Sequence, residues 1–147
     1  MSEMKKILVL CTGNSCRSQM AEGYIRKYGG EQVVVHSAGL EPHGLNPRAV
    51  RVMREVGIDI SGHSSDHLNE YLDETFDYVI TVCDNAARNC PVFPGDGARQ
   101  HWPFEDPAGA SGTEEEILGV FRRVRDEIGE RIRVWLEGIH SGAADRT

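Results

Sequence analysis

Two thiols, three hydroxyls and a guanidinium crowd into eight residues, Cys11-Thr12-Gly13-Asn14-Ser15-Cys16-Arg17-Ser18, directly after the run Lys6-Ile7-Leu8-Val9-Leu10. A loop leading from a strand into a helix points successive backbone N–H groups at one spot, and the helix N-terminus adds positive charge there. Thr12, Gly13, Asn14, Ser15, Cys16 and Arg17 are therefore expected to form an oxyanion cradle. Gly13 eases the tight turn, Asn14 accepts a left-handed backbone, and Arg17 offers a planar fork to two oxygens of a tetrahedral anion. The same positive surroundings should draw the Cys11 thiol below its ordinary value of about 8.5 and make it a nucleophile, with Ser18 donating a hydrogen bond to the thiolate.

Two further cysteines stand far along the chain. Cys83 closes the apolar run Tyr78–Val82, and Cys90 lies beside Pro91 in a polar stretch. One or two helical turns span their separation of seven residues, but a disulfide between them requires the intervening segment to move. A zinc site is disfavoured, because no C-x2-C pair occurs among the four cysteines. Asp106, before Pro107, sits in a stiffened loop able to hold a carboxyl over the cradle as a general acid. The six histidines, His36, His43, His63, His67, His101 and His140, are scattered and read as non-catalytic.

Positioning these groups requires alternating strands and helices. The run Lys6–Leu10 has the continuous apolar character of a strand buried on both faces. From Ser18 the apolar side chains of Met20, Ala21, Tyr24, Ile25 and Tyr28 make a helix stripe that stops at Gly29-Gly30. Val33–Val35 is a second strand, followed by a loop through Ser37-Ala38-Gly39. Asn46-Pro47 reads as an N-cap with proline at the first helical position, opening a helix that carries Val50, Met53 and Val56 and stops at Gly57. A loop over Ile58–His67 leads to a short helix around Leu68–Leu72. Tyr78–Val82 is the third strand, Asp84–Pro94 a short helical turn or loop, and Arg99–Trp102 a weak fourth strand. The last helix opens on a capping box of Thr113 and Glu116, with Glu114-Glu115-Glu116 suiting the positive end of its dipole. It carries Ile117, Phe121, Val124, Ile128, Ile132, Trp135 and Ile139 along one face.

Such alternation implies an α/β three-layer sandwich: a central four-stranded parallel sheet with helices on both faces and right-handed crossovers. Ligands in such folds bind beyond the carboxyl ends of the strands, so Cys11 and Cys83 are expected at the same edge. With 147 residues, a single domain over residues 1–140 is expected, followed by a frayed tail at 141–147. The net charge of -7 argues against nucleic acid or anionic lipid as partner, so any anion site must be local. Residues Met1–Lys6 show no signal-peptide pattern and no apolar run approaches a membrane span, which places the protein in the cytoplasm.

The C-x5-R-S loop in CTGNSCRSQMAEG resembles that of the low-molecular-weight protein tyrosine phosphatase superfamily. SAGLEPHGLNPRAV, DISGHSSD, VITVCDNAARNCP and HWPFEDPAG extend the resemblance over nearly the whole chain, more closely to the thioredoxin-coupled arsenate reductase branch. It implies a phosphotyrosine phosphatase I-like fold and the reduction of arsenate to arsenite, hence arsenical resistance. In that relay Cys11 attacks arsenate, Cys83 attacks the Cys11 sulfur and releases arsenite, and Cys90 moves the disulfide to Cys83 and Cys90 for thioredoxin to reduce. Asp106 matches the phosphatases' general acid, whereas Cys16 has no part in the relay and reads as structural. The alternative is a phosphatase working through a Cys11 phosphoenzyme. Against it, the phosphatases usually have proline where Gln19 stands and a pair of tyrosines where Ala108-Gly109 follow Asp106-Pro107. A third class, a non-catalytic anion or redox sensor, would require an unperturbed Cys11 thiol. No tightly bound cofactor is expected, and the chain is expected to act as a monomer. Asn14, Glu22, Ser37, Ser65 and Asp66 match residues that gather around a potassium ion in some arsenate reductases. The alternative for these five is a hydrogen-bond network holding the backbone of Asn14.

Overall fold

Residues 4–95 and 97–140 are described by a computed structural model; the tail expected at 141–147 lies outside the described residues. Four parallel strands form one sheet in the order β2-β1-β3-β4: β1 (Lys5–Cys11), β2 (Val33–Gly39), β3 (Tyr78–Thr81) and β4 (Ala98–His101). The helices are α1 (Arg17–Gly29), α2 (Pro47–Glu55), α3 (Asp84–Arg88) and α4 (Glu114–His140), with short 3-10 turns at Gly30–Gln32, Leu68–Tyr71 and Pro107–Gly109. The expected three-layer α/β arrangement is the one observed.

Central strand β1 explains its own apolar run. Ile7, Leu8, Val9 and Leu10 are all buried because both faces of the sheet are covered. Edge strand β4 reads as weak in sequence because it is largely exposed, and its register is fixed by pairing with β3, Tyr78 opposite Ala98 through Thr81 opposite His101. Asn46 caps α2 by accepting from the N–H groups of Arg48 and Ala49. The capping box of α4 forms as expected: Glu116 N–H donates to Thr113 Oγ1 at 3.1 Å, and Thr113 N–H to Glu116 Oε1 at 3.2 Å. Its apolar stripe is buried from Phe121 to Ile139.

One boundary corrects the sequence reading. Ser37-Ala38-Gly39 belongs to β2, because these residues pair with Val9, Leu10 and Cys11 of β1. Extending β2 this far brings it against the cradle. A Cβ at Gly39 would stand 2.5 Å from the carbonyl oxygen of Thr12, so only glycine admits the approach. The same strand end is tied to the following loop by Gly39 N–H, which donates to Asp66 O at 2.8 Å.

Candidate active site

The cradle is built from β1, the N-terminus of α1 and the segment after β2. Cys11 is the last residue of β1, and α1 begins at Arg17. Leu40 N–H donates to Cys11 O, Glu41 N–H to Thr12 O, His43 N–H to Gly13 O and Asn46 N–H to Ser15 O, so the loop is laced along its length. Asn14, as expected, takes the left-handed conformation, with φ 47°.

That conformation is held by buried polar side chains. Ser18 Oγ donates to Asn14 Oδ1 at 2.8 Å, Asn14 Nδ2 donates to Ser37 O at 3.3 Å, and Ser65 Oγ donates to Asn14 O at 3.0 Å. Gln19, singled out in sequence only as a departure from proline, donates through Nε2 to Asn14 O at 3.0 Å and to Ser64 O at 2.8 Å. Asn14, Ser18 and Gln19 are fully buried, so each lost partner would leave an unpaired polar group in the interior. The structure places the Ser18 hydroxyl, expected as a donor to the Cys11 thiolate, on Asn14 Oδ1 instead.

Arg17 reaches across to the loop after β4, donating through Nη1 to Phe104 O at 3.0 Å and approaching Asp106 Oδ2 to 3.6 Å through Nη2. Arg17 is nearly buried and Asp106 half exposed, so the acid stands at the mouth of the cradle, held by the guanidinium. Asp106 also caps the turn that follows, accepting from Ala108 N–H. Ala108 and Gly109 follow in that turn, at the positions where the phosphatases usually carry tyrosines. Cys16 is buried, and burial pushes its thiol up to about 11, which keeps it protonated and structural.

Cys11 and Cys83 come together at the carboxyl edge of the sheet, near enough to shift one another's ionisation, with Thr12 between them. The expectation of a lowered Cys11 thiol is not what the surroundings favour: the nearness of Cys83 and then burial push Cys11 above the usual thiol range, against the charge of Arg17. Cys83 is drawn down to about 5, first by the nearness of Cys11, then by Thr12 and the Ala86 N–H, against its own burial. Thr12 was read only as part of the cradle; its hydroxyl lies 3.3 Å from Cys83 Sγ. Asn85 Nδ2 donates to Thr12 Oγ1 at 3.0 Å, which leaves the hydroxyl proton for the sulfur.

Cys90 stands apart. It is half-buried beyond α3, lines a cavity of about 180 Å³ with Thr81, Arg99 and His101, and has its thiol pushed up by burial. All four cysteines are free thiols.

The five residues read as a potassium set divide into two groups. Glu22 accepts from Ser37 Oγ at 2.6 Å and pairs with Arg26 Nη2 at 2.5 Å, while Asp66 accepts from Ser64 Oγ and the Tyr71 hydroxyl. Asn14 Oδ1 and Ser65 Oγ face the cradle network. The buried Glu22 carboxylate has a guanidinium as its counter-charge, and Ser37 and Ser65 join the hydrogen-bond network that holds Asn14. Among the described residues no cluster of three or more His, Cys, Asp or Glu is placed to hold a metal.

Residues 6–144 match the low molecular weight phosphotyrosine protein phosphatase family. The chain belongs to that family. Among curated relatives, it is 56% identical over 133 residues to a protein of Halalkalibacterium halodurans named arsenate reductase, covering 90% of this chain and 96% of the relative. Among solved structures, it resembles an arsenate reductase in the phosphate-binding state with a TM-score of 0.75 at 38% identity, covering 92% of this chain and 99% of the other. A thioredoxin-dependent arsenate reductase of Corynebacterium glutamicum superposes with a TM-score of 0.75 at 27% identity, over 96% of this chain and 64% of that one. A low molecular weight protein tyrosine phosphatase from T. tengcongensis also superposes, with a TM-score of 0.74 at 28% identity over 90% of this chain and 98% of that one, so relatives named reductase and phosphatase share the fold. No helix among the described residues is long and apolar enough to cross a membrane.

Proposed function

We propose that this member of the family reduces arsenate to arsenite through Cys11, Cys83 and Cys90 and is recycled by thioredoxin. The observation that carries it is the placement of Cys83 against the cradle beside Cys11, its sulfur 3.3 Å from Thr12 Oγ1, which a phosphatase using one cysteine does not need. The relatives named arsenate reductase, and the thioredoxin-dependent one among them, support the same reading.

Arsenate enters the cradle of Thr12, Gly13, Asn14, Ser15 and Cys16, with Arg17 on two of its oxygens. A proton passes from Cys11 to Cys83, and the Cys11 thiolate attacks arsenic while an oxygen leaves as water, protonated from Asp106. Cys83 gives up its proton to the departing oxyanion and attacks the Cys11 sulfur. The sulfur–arsenic bond breaks with its electron pair on arsenic, which falls from As(V) to As(III) as a Cys11–Cys83 disulfide forms. Cys90 then attacks Cys83, Cys11 leaves as a thiolate, and the resulting Cys83–Cys90 disulfide is reduced by thioredoxin.

Phosphoryl transfer to Cys11 remains the second reading, favoured by Arg17 and Asp106 at the same mouth. The short side chains at Ala108-Gly109 leave no aromatic slot for a phosphotyrosine ring. The proposal includes one domain over residues 1–140, acting as a monomer in the cytoplasm with no bound cofactor.

Arsenite release followed under single turnover tests the relay. Wild type turns over repeatedly with thioredoxin, thioredoxin reductase and NADPH. Cys11→Ser and Cys83→Ser release none, and Cys90→Ser releases one equivalent and stalls as a Cys11–Cys83 disulfide. Repeated turnover by Cys90→Ser would remove Cys90 from the relay, and equal turnover with glutaredoxin would replace thioredoxin.

A further inference from the structure

The relay proposed above leaves its third thiol unexplained, because a buried cysteine is a poor nucleophile until it ionises. Cys90 donates through Sγ to the carbonyl oxygen of Pro91 at 3.5 Å. The same oxygen receives Arg99 Nη2 at 2.5 Å, so a sulfur and a guanidinium from different elements meet on one acceptor. Arg99 comes from edge strand β4, whose pairing with β3 sets Arg99 opposite Val79 and is independent of α3. Both residues line the cavity of about 180 Å³ at the sheet edge.

We propose that Arg99 is a positioning residue for the disulfide-exchange step: its guanidinium, meeting Cys90 at the Pro91 carbonyl, favours the thiolate that Cys90 must form before it attacks Cys83. This rests on the relay reading and adds to it the group that activates the last thiol. When Cys90 loses its proton, the S–H···O bond to Pro91 disappears, and the neighbouring guanidinium supplies the compensating charge. Arg99 is the charge that opposes the upward push of burial on Cys90. The other titratable group lining the cavity is His101, held by Thr81 and by Asp84 of α3 at 2.9 Å. Arg99 is exposed and edge-bound, so its replacement leaves the core untouched.

The test measures the rate of Cys90 alkylation by iodoacetamide against pH in a Cys11→Ser/Cys83→Ser background, with Arg99 intact, Arg99→Gln or Arg99→Lys. Arg99→Gln is expected to move the midpoint upward, and Arg99→Lys to bring most of it back. In the otherwise native chain, Arg99→Gln should slow conversion of the Cys11–Cys83 disulfide to Cys83–Cys90 about tenfold at neutral pH, the loss expected when a thiolate fraction drops by one pKa unit. An unchanged alkylation midpoint overturns the proposal. A shifted midpoint with unchanged disulfide exchange overturns it as well. Repeated turnover by Cys90→Ser instead overturns the relay, a failure the alkylation midpoint does not mimic.

Discussion

The cradle and the α3 segment sit side by side at one sheet edge and are built in opposite ways. Around Asn14 the side chains of Ser18, Gln19 and Ser37 are buried and paired, and four backbone hydrogen bonds from residues 40–46 pin the loop. Helix α3 has five residues and buries only Ala86, and the irregular segment after it leads to Val92, which is 86% exposed. A rigid loop fits a group that must hold an anion in one geometry. A short, weakly packed helix fits a group that must move, since seven residues of helix hold their ends about 10 Å apart, beyond the roughly 7 Å that a disulfide allows between Cα atoms.

Chemistry gives the sharpest test of this division. Cys83→Ser should lower arsenate turnover by more than about a thousandfold in the NADPH-coupled assay while the cradle still binds phosphate, because only the mobile partner of the pair is lost. Retained turnover would erase the distinction between a binding region and a moving one.

Stability should fall unequally on the two regions. Asn14→Ala strips a buried acceptor from Ser18 and a donor from Ser37 O at a left-handed residue, and should cost about 2–4 kcal/mol in urea unfolding. Asn89→Ala, on the exposed end of α3, should cost under about 0.5 kcal/mol.

Between the regions lies the pair of thiols, whose ionisation pH should reveal. Absorbance near the thiolate band is expected to fall as pH drops through about 5, and in Cys83→Ser that midpoint should be lost and replaced by one belonging to Cys11. Cys83 is lowered in the folded chain, so between about 5 and the ordinary thiol range the unfolded chain binds one more proton and stability rises with pH. Above that range the raised Cys11 reverses the sign, and stability declines.

The smallest effect is expected at Glu22. Replacing potassium chloride by sodium chloride at equal ionic strength should leave the melting temperature of wild type unchanged, because Arg26 already pairs with the carboxylate. A potassium-specific rise would show that the ion displaces the guanidinium.

Much of this was legible in the residues themselves. The strand Lys6–Leu10, the stripe from Met20 to Tyr28, the capping box at Thr113 and the order Cys11, Gly13, Asn14, Arg17 are local patterns, set by periodicity, steric limits and charge. Gly39 and Gln19 carried no such mark, because their constraints come from the Thr12 carbonyl and from Asn14 and Ser64. Edge strand β4 was faint for a related reason, its exposure removing the apolar run that identifies its neighbours.

The sequence by itself determined which groups could do chemistry here: an anion-binding loop with a nucleophile, and three thiols in an order that suits a relay. Only the tertiary structure decided how charge and protons are shared among them. It turned Ser18 toward Asn14, drew the negative charge toward Cys83, gave Glu22 to Arg26 and set Arg99 against the carbonyl beside Cys90. Hydrogen bonds and ion pairs act over a few ångströms, and it is the fold that brings residues distant in the chain within that range.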